Sequence, residues 1–251
     1  MTTTGTGDPA RTMALLWRDR SAPGPRRGPR PGLDVDGIVA AAVALADADG
    51  LAALSMRRVA AALGVAAMTL YTHVPGKGEL TDLMVDTVTG ELYPDGTPTG
   101  DWRERVTAVA RANWDLHVRH PWLREVGPGR PPLGPGVLAR YEHELRAVDG
   151  LGLTEVQMDL LVTLVDALVR GTVGGVADRV GAERASGVTE QQWWEATEPY
   201  LRQVFDPERY PTAARVGPVA GAELQAAYDP QASFAFGLAR LLDGMAGLIV
   251  G

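Results

Sequence analysis

Apolar residues recur every three or four positions along most of the chain after Leu33. This spacing places them on one face of a helix, whereas a β-strand needs strict alternation, which no segment shows. The first such helix is predicted from about Asp34 to Asp49, and Gly50 ends it with a residue that favours the backbone conformation found after helices. The pattern predicts an all-α protein without internal repeats.

Two short helices are predicted after the first one. Ser55 is a favourable N-cap for a helix over 56–63, and Gly64 separates this helix from another over about 66–73. A longer helix follows toward Leu92. Two short helices joined through a glycine suit a unit that presents one helix to the major groove of DNA, which is about 12 Å wide.

Turn-forming residues cluster over 93–100 and mark a boundary before a second set of helices. The spacing of apolar residues and the capping signals predict helices over about 101–119, 136–148, 154–177, 189–204 and from about 230 onward. The Pro/Gly-rich stretch 207–221 is predicted to be a connection between the last two helices.

The first 32 residues are rich in proline and poor in apolar side chains, which predicts a disordered, basic N-terminal arm over 1–32. A short apolar run, 13–17, interrupts this region and could dock elsewhere. The arm fits a solvated linker as well as a tail that follows DNA phosphates. The remaining chain divides into a DNA-binding domain over 33–80 and a larger helical domain over 81–251.

The net charge of −7 is unevenly distributed along the chain. Residues 1–90 carry nine basic and nine acidic side chains, whereas the remainder carries fifteen basic and twenty-two acidic ones. Any polyanion would therefore be attracted to the first third of the chain and repelled by the rest. The distribution permits a DNA-binding head without proving one.

Several classes of protein are disfavoured by what the sequence lacks. It contains no cysteine, so it has no disulfide or thiolate metal site, and no signal peptide or uninterrupted apolar run of about 20 residues is visible. His117 and His120 have the spacing of metal ligands but no nearby third ligand. No nucleophile, phosphate-loop or zinc-protease motif is present. We therefore expect a cytoplasmic protein that is not an enzyme, with no membrane association, metal or cofactor.

The residues from Leu54 to Val74, followed by Lys77, resemble the DNA-binding domain of the tetracycline-repressor family. More weakly, the segments His120–Leu123, Arg130–Pro135 and Phe234–Leu238 resemble the ligand-binding domain of its tetracycline-repressor-type members. The resemblance implies an N-terminal three-helix helix-turn-helix domain and a larger helical domain for ligand binding and dimerisation.

The resemblance and the local pattern together suggest which residues meet DNA. Arg57 could reach a phosphate or a guanine edge, and residues 67–69 form the turn that faces the bases. Tyr71 and His73 fit packing roles as well, and Lys77 fits a solvated surface charge. The predicted DNA contacts are Arg57, Ala67, Met68, Thr69, Tyr71, Thr72, His73 and Lys77.

The larger domain carries apolar stripes on the helices near 154–177 and 230–250 that are too broad for one core. They predict a homodimer, the alternative being the interior of a monomer. Aromatic, methionine and a few polar side chains suit a small-molecule pocket. The predicted ligand contacts are Val109, Asn113, Trp114, His117, Trp122, Met158, Leu161 and Trp194.

These features predict a ligand-responsive transcriptional regulator. We expect a repressor that a small hydrophobic or amphipathic molecule releases from double-stranded operator DNA. The alternative is a protein that sequesters small molecules and has no operator.

Overall fold

A computed structural model describes residues 2–18, 33–127 and 130–249, and these residues form eleven α-helices. The helices are α1 (Pro9–Leu16), α2 (Val35–Asp49), α3 (Met56–Ala62), α4 (Ala67–Tyr71), α5 (Lys77–Thr89), α6 (Trp102–Arg119), α7 (Pro135–Val148), α8 (Glu155–Ser186), α9 (Glu190–Val204), α10 (Pro211–Leu224) and α11 (Pro230–Ile249). Short 3-10 helices lie at Leu51–Ala53 and Pro121–Glu125. The prediction of an all-α protein is confirmed.

One small sheet was not predicted. Strands β1 (Thr2–Thr3) and β2 (Val126–Gly127) pair in parallel, with Thr2 opposite Val126 and Thr3 opposite Gly127. Runs of two residues are too short to show alternation, so no local pattern could have revealed them.

Side-chain caps begin several helices, and the one at Ser55 is where the sequence predicted it. The Asp34 side chain accepts the Gly37 amide at 2.8 Å, and the Ser55 hydroxyl accepts the Arg58 amide at 3.3 Å. Thr189 and Gln192 form a reciprocal capping box at the start of α9. Each cap satisfies an amide that the helix itself leaves without a partner.

The stretch 207–221 is not the predicted connection, because α10 occupies most of it. Pro211 lies in the first turn, where a missing N–H costs nothing, and alanines favour the helix that follows. Pro218 lies inside the helix and removes only one of its hydrogen bonds. The density of proline and glycine was therefore a misleading signal here. Helix α8 is also longer than predicted and continues to Ser186.

The described chain divides into two units, one ending at Leu164 and the other beginning at Val165. In the first unit, one hydrophobic core includes Ile38 of α2, Leu70 of α4 and Leu80 of α5. The same core also contains Trp122 and Leu116, which come after the predicted boundary. The helices expected to bind DNA therefore share their interior with the start of the larger domain.

The N-terminal region is the main correction to the sequence prediction. Residues 2–18 are folded rather than disordered: Asp8 caps α1, and Leu16 is only 1% exposed within the core of the first unit. The physical reason is the burial of Leu16 and, in part, of Leu15 within the run 13–17, whose other members are exposed. The remainder of the predicted arm, 19–32, lies outside the described residues.

The second unit contains the end of α8 and the helices α9, α10 and α11. Its interior is formed by Val169 and Val173 of α8 and by Leu238, Leu242 and Met245 of α11. Helices α8 and α11 pack closely at Gly237, where a Cβ atom would lie 2.6 Å from Leu168 Cδ1.

Helices α8 and α11 are the two described helices long and apolar enough to span a membrane by length and composition alone. In the most apolar stretch of 18 residues, only 28% of α8 and 22% of α11 is buried. Both helices thus leave much apolar surface uncovered in the single chain.

Replacing Leu16 with alanine tests whether α1 is part of the fold. We expect Leu16→Ala to lower the free energy of unfolding by about 2–5 kcal/mol, since it empties a buried site. Met13→Ala, on the exposed side of the same helix, is the matched control and should change it by only about 0.5 kcal/mol. Urea denaturation at one protein concentration measures both. Equal, small effects would show that α1 does not contribute to the core.

Candidate DNA-binding and ligand-binding sites

Helices α3 and α4 are joined by a tight turn at Gly64. The φ angle of Gly64 is +67°, in the left-handed region that glycine adopts without strain. The Val65 amide donates to the Ala60 carbonyl at 3.0 Å, which fixes the turn against α3. Val59 and Leu70 are fully buried between the two helices. Because its inner face is held in this way, α4 presents its other face to solvent.

The predicted DNA contacts mostly lie on that outer face. Met68 is 73% exposed. The Thr72 hydroxyl donates to the Thr69 carbonyl at 2.7 Å. Ala67 and His73 are half-buried. The exposed members of the predicted set are Arg57, Met68, Thr69, Tyr71 and Thr72.

Lys77 has a structural contact that the sequence did not reveal. Its Nζ donates to the Leu51 carbonyl at 3.2 Å and is half-buried there. This bond joins the start of α5 to the 3-10 turn that precedes α3. An ammonium group has three donors, so two remain for a phosphate.

Arg58 is a further residue of this unit that sequence reasoning missed. It pairs with Asp49 at 2.5 Å and donates to the Ala53 carbonyl at 3.2 Å. The pair connects the end of α2 to α3 and so orients the helix that carries Arg57. Adjacent arginines give no local sign of which one faces the protein and which one faces solvent.

Asp47 of α2 joins the helix-turn-helix unit to the following domain. Its Oδ1 accepts the Trp122 indole N–H at 2.8 Å and lies 2.8 Å from His120 Nδ1. Trp122 was predicted to contact ligand, but it lies in the core of the first unit with its N–H bonded to Asp47. A buried indole needs such a partner for its N–H, and this requirement fixes its position.

Other predicted ligand contacts share one buried face of α6. Asn113 donates to Glu144 at 2.6 Å and to the Val109 carbonyl at 3.0 Å, while its Oδ1 is buried without a hydrogen bond. Burial, followed by the nearby Glu144 carboxylate, raises the pKa of Tyr93, which also donates to Glu144. Trp114 and His117 are buried on the same helix. The group is a polar cluster within a largely apolar surrounding.

Two predicted ligand contacts lie on α8, where Leu161 is buried and Met158 is half-buried. Trp194, by contrast, belongs to the second unit. The eight predicted residues are therefore divided between the two units, seven in the first and Trp194 in the second.

Trp194 lines a cleft of about 290 Å³ between α9 and α10. Its ring packs on Gly221, where a Cβ would lie 2.5 Å from Trp194 Cζ2. Small residues of α10 face the aromatic residues of α9, so the space between the helices is not filled. Pro218 offers no N–H to the Ala214 carbonyl, which leaves an acceptor beside the cleft. The lining residues are Trp194, Glu198, Leu201, Arg202, Phe205, Pro207, Ala213, Ala214, Gly217 and Pro218.

Two solved structures of ActR, a TetR family protein of Streptomyces coelicolor, are similar to this chain along most of its length. ActR of Streptomyces coelicolor in complex with actinorhodin has a TM-score of 0.72 and 27% sequence identity, covering 87% of this chain and 98% of that one. ActR in complex with (S)-DNPA has a TM-score of 0.69 and 26% identity, covering 86% and 98%.

Sequence relatives and family models give the assignment. The chain is 41% identical over 252 residues to the HTH-type transcriptional repressor DrrR1 of Streptomyces coeruleorubidus, covering 98% of this chain and 89% of the relative. An HTH-type transcriptional regulator of Saccharopolyspora erythraea is 31% identical, covering 82% and 84%. Residues 38–83 match the bacterial regulatory proteins of the tetR family, and residues 93–249 match the tetracyclin repressor-like C-terminal domain. The chain therefore belongs to the tetR family and is a DNA-binding transcriptional regulator of the helix-turn-helix type.

Proposed function

We propose that this regulator is a repressor that binds operator DNA through α3 and α4 and leaves it when a small hydrophobic or amphipathic molecule binds the C-terminal domain. The observation that supports DNA reading is the outer face of α4, where Met68 and Tyr71 are exposed although both are large. A helix held firmly on one side and open on the other fits the major groove. The relative DrrR1 is named a repressor, which supports repression here.

The contacts divide into two kinds. Arg57 reaches a phosphate from the start of α3, and Tyr71, Thr72, His73 and Lys77 position the domain on the sugar-phosphate backbone. Residues 67–69 meet base edges. Ala67 and Met68 offer only apolar contact, which suits a thymine methyl group, while the Thr69 hydroxyl can donate or accept.

The effector site we propose is the cleft that Trp194 lines. An aromatic wall, a backbone acceptor and one charged pair, Glu198 with Arg202, form a site for a planar molecule with few polar groups. The ActR complexes with actinorhodin and (S)-DNPA support small-molecule control of this kind. Val109, Asn113, Trp114, His117, Met158 and Leu161 remain proposed contacts of a pocket in the first unit, with Asn113 Oδ1 as its available acceptor.

A cytoplasmic homodimer is the assembly that we propose. Val156, Leu160 and Leu164 are exposed at four-residue spacing on α8, and Phe236 and Leu248 are exposed on α11. Large apolar side chains at such spacing are typical of subunit interfaces. A two-fold dimer can place two recognition helices in successive major grooves, roughly 34–36 Å apart.

A protein that only sequesters small molecules is the alternative. Such a protein would need the cleft, but it would not need an exposed Met68, because exposing a large apolar side chain to water is unfavourable. The DNA-binding experiment below separates the two functions.

We expect Arg57→Ala to weaken binding to all DNA sequences and to reduce the salt slope of the binding constant by about 2, because each protomer of the dimer loses one phosphate contact. Fluorescence anisotropy with the DNA that flanks the gene for this protein, over a salt series, measures both quantities. Arg146→Ala removes the same charge from α7 and is the control. Equal slopes for the two variants would contradict the phosphate contact, and failure of the wild type to prefer this DNA over random DNA would favour sequestration.

Met68→Ala should change the preference between DNA sequences rather than the salt dependence of binding. We expect the preference for the operator over random DNA to fall by about 2 kcal/mol, which is about 1 kcal/mol for the base contact in each half-site, with the salt slope unchanged. The same anisotropy titrations on the two DNAs measure it. An equal loss on both DNAs would place Met68 outside the base-reading surface.

Gly217→Leu tests the cleft by filling it. A Cβ at Gly217 would meet no atom within 4 Å, and leucine favours helix over glycine, so the variant should fold. We expect it to lose binding of (S)-DNPA or actinorhodin, seen as loss of tryptophan quenching and of DNA release, while it keeps DNA affinity. Gly181→Leu, on α8 and also without atoms within 4 Å, is the matched control. Unchanged ligand binding in Gly217→Leu would exclude the cleft as the effector site and would favour the residues around Asn113.

A further inference from the structure

Residues 2–18 contact three parts of the first unit: the stretch that follows the 3-10 helix Pro121–Glu125, helix α5 and helix α2. Strand β1 pairs with β2, and the Thr4 hydroxyl, which is buried, donates to the Arg130 carbonyl. After α1, the Trp17 indole donates to the Leu133 carbonyl at 2.9 Å. Both ends of the segment are thus bonded to the stretch 126–133, which belongs to the C-terminal domain.

Between these two ends the segment crosses α5 at very short range. The Gly5 amide donates to Asp82 at 3.0 Å, and Asp82 has no exposed surface. A Cβ on Gly7 would lie 2.3 Å from Glu79 Oε1, and one on Gly78 would lie 2.7 Å from Thr6 Oγ1. The crossing is therefore close-packed at Gly7 and Gly78, where a larger residue would displace the side chain of Glu79 or Thr6.

The segment is also anchored at its end. Leu16 lies in the shared core, and Arg18 pairs with Asp36 of α2, a helix of the DNA-binding domain. The contacts on α5 lie within residues 38–83, which match the DNA-binding family model, and Asp36 lies just before that match. The contacts on 126–133 lie within the part that matches the C-terminal domain. The segment therefore bridges the two domains independently of the covalent path through α5.

We propose that residues 2–18 form an interdomain strap that fixes the stretch 126–133 to α5 and so positions the DNA-binding helices. Helix α5 begins at Lys77, which is bonded to the turn before α3. A displacement of 126–133 is transmitted through the strap to α5, and from there to α3 and α4. Loss of the strap leaves the two domains connected only by the chain and their remaining core.

This role is the opposite of a DNA-binding tail. To follow phosphates, residues 2–18 would have to expose Leu16, separate β1 from β2 and leave the buried Asp82 without the Gly5 amide. Each loss is unfavourable, and the last leaves a buried carboxylate short of a donor.

Hydrogen exchange of the full-length protein, followed by mass spectrometry, tests the strap without any ligand. In Gly7→Ala the new methyl group and the buried Glu79 side chain cannot both keep their positions, which disturbs the crossing. We expect exchange in 126–133 and in the first turns of α5 to rise at least about fivefold, the effect of losing about one hydrogen bond. Exchange in α11, in the other unit, should not change and serves as the internal control. Unchanged exchange in 126–133 would overturn the proposal.

A second variant distinguishes the crossing from general destabilisation. Glu79→Ala removes the side-chain atoms with which a methyl group on residue 7 would clash. The double variant should therefore recover most of the protection in 126–133 that Gly7→Ala alone loses. No recovery would mean that the strap is not held at this crossing.

Exchange with a random-sequence duplex at low salt separates a strap from an arm. A strap stays in place, so protection of 126–133 should not fall when DNA is added. Loss of that protection on adding DNA would show residues 2–18 leaving the body for the duplex and would overturn the proposal. If the protein fails to bind the duplex, the proposed repressor function fails, while the exchange of the free variants still decides the strap.

Discussion

Two buried carboxylates on α5 hold the first unit in its arrangement. Asp82 and Asp86 have no exposed surface, and a carboxylate in that position must be hydrogen-bonded. Asp82 accepts the Gly5 amide, whereas Asp86 accepts the Val137 amide at 2.9 Å in the first turn of α7. Burial raises the pKa of Asp82, and the Gly5 amide opposes that change. One helix thereby orders the N-terminal segment on one side and the start of α7 on the other.

The approach of α7 to α5 depends on the same constraint. A Cβ on Gly134 would lie 2.3 Å from Asp86 Oδ1, and one on Gly136 would lie 2.0 Å from the Asp86 carbonyl oxygen. The first turn of α7 has no side-chain cap of its own, so the carboxylate from α5 supplies the acceptor. Negative charge at a helix N-terminus is favourable for the helix dipole as well.

The DNA-binding helices are therefore not an independent domain joined to the rest of the first unit by a flexible linker. Asp47 bonds Trp122, and the Leu51 amide donates to Glu125 at 3.3 Å, so α2 and the turn after it hold the 3-10 helix 121–125. Lys77 returns from α5 to Leu51. These bonds, with the shared core, make the position of α4 depend on groups in the following domain. A regulator needs such dependence, because an effector acts only through contacts that differ between two states.

The sequence by itself determined the helical class, the caps at Ser55 and Thr189, the glycine turn at Gly64 and the exposed set around Met68. These features arise from residues three or four positions apart, whose interactions are local. It also carried the family resemblance, which the comparisons confirmed.

The tertiary structure decided what depends on partners distant in the chain. The docking of residues 2–18 depends on Asp82 and on β2, the place of Trp122 depends on Asp47, and the second role of Lys77 depends on Leu51. In 207–221, by contrast, the local signal itself was misleading, because Pro211 and Pro218 occur in a helix rather than a loop. Local composition reports the propensity of a segment, whereas burial and hydrogen bonding are set by the surfaces it meets, and those surfaces exist only once the chain has folded.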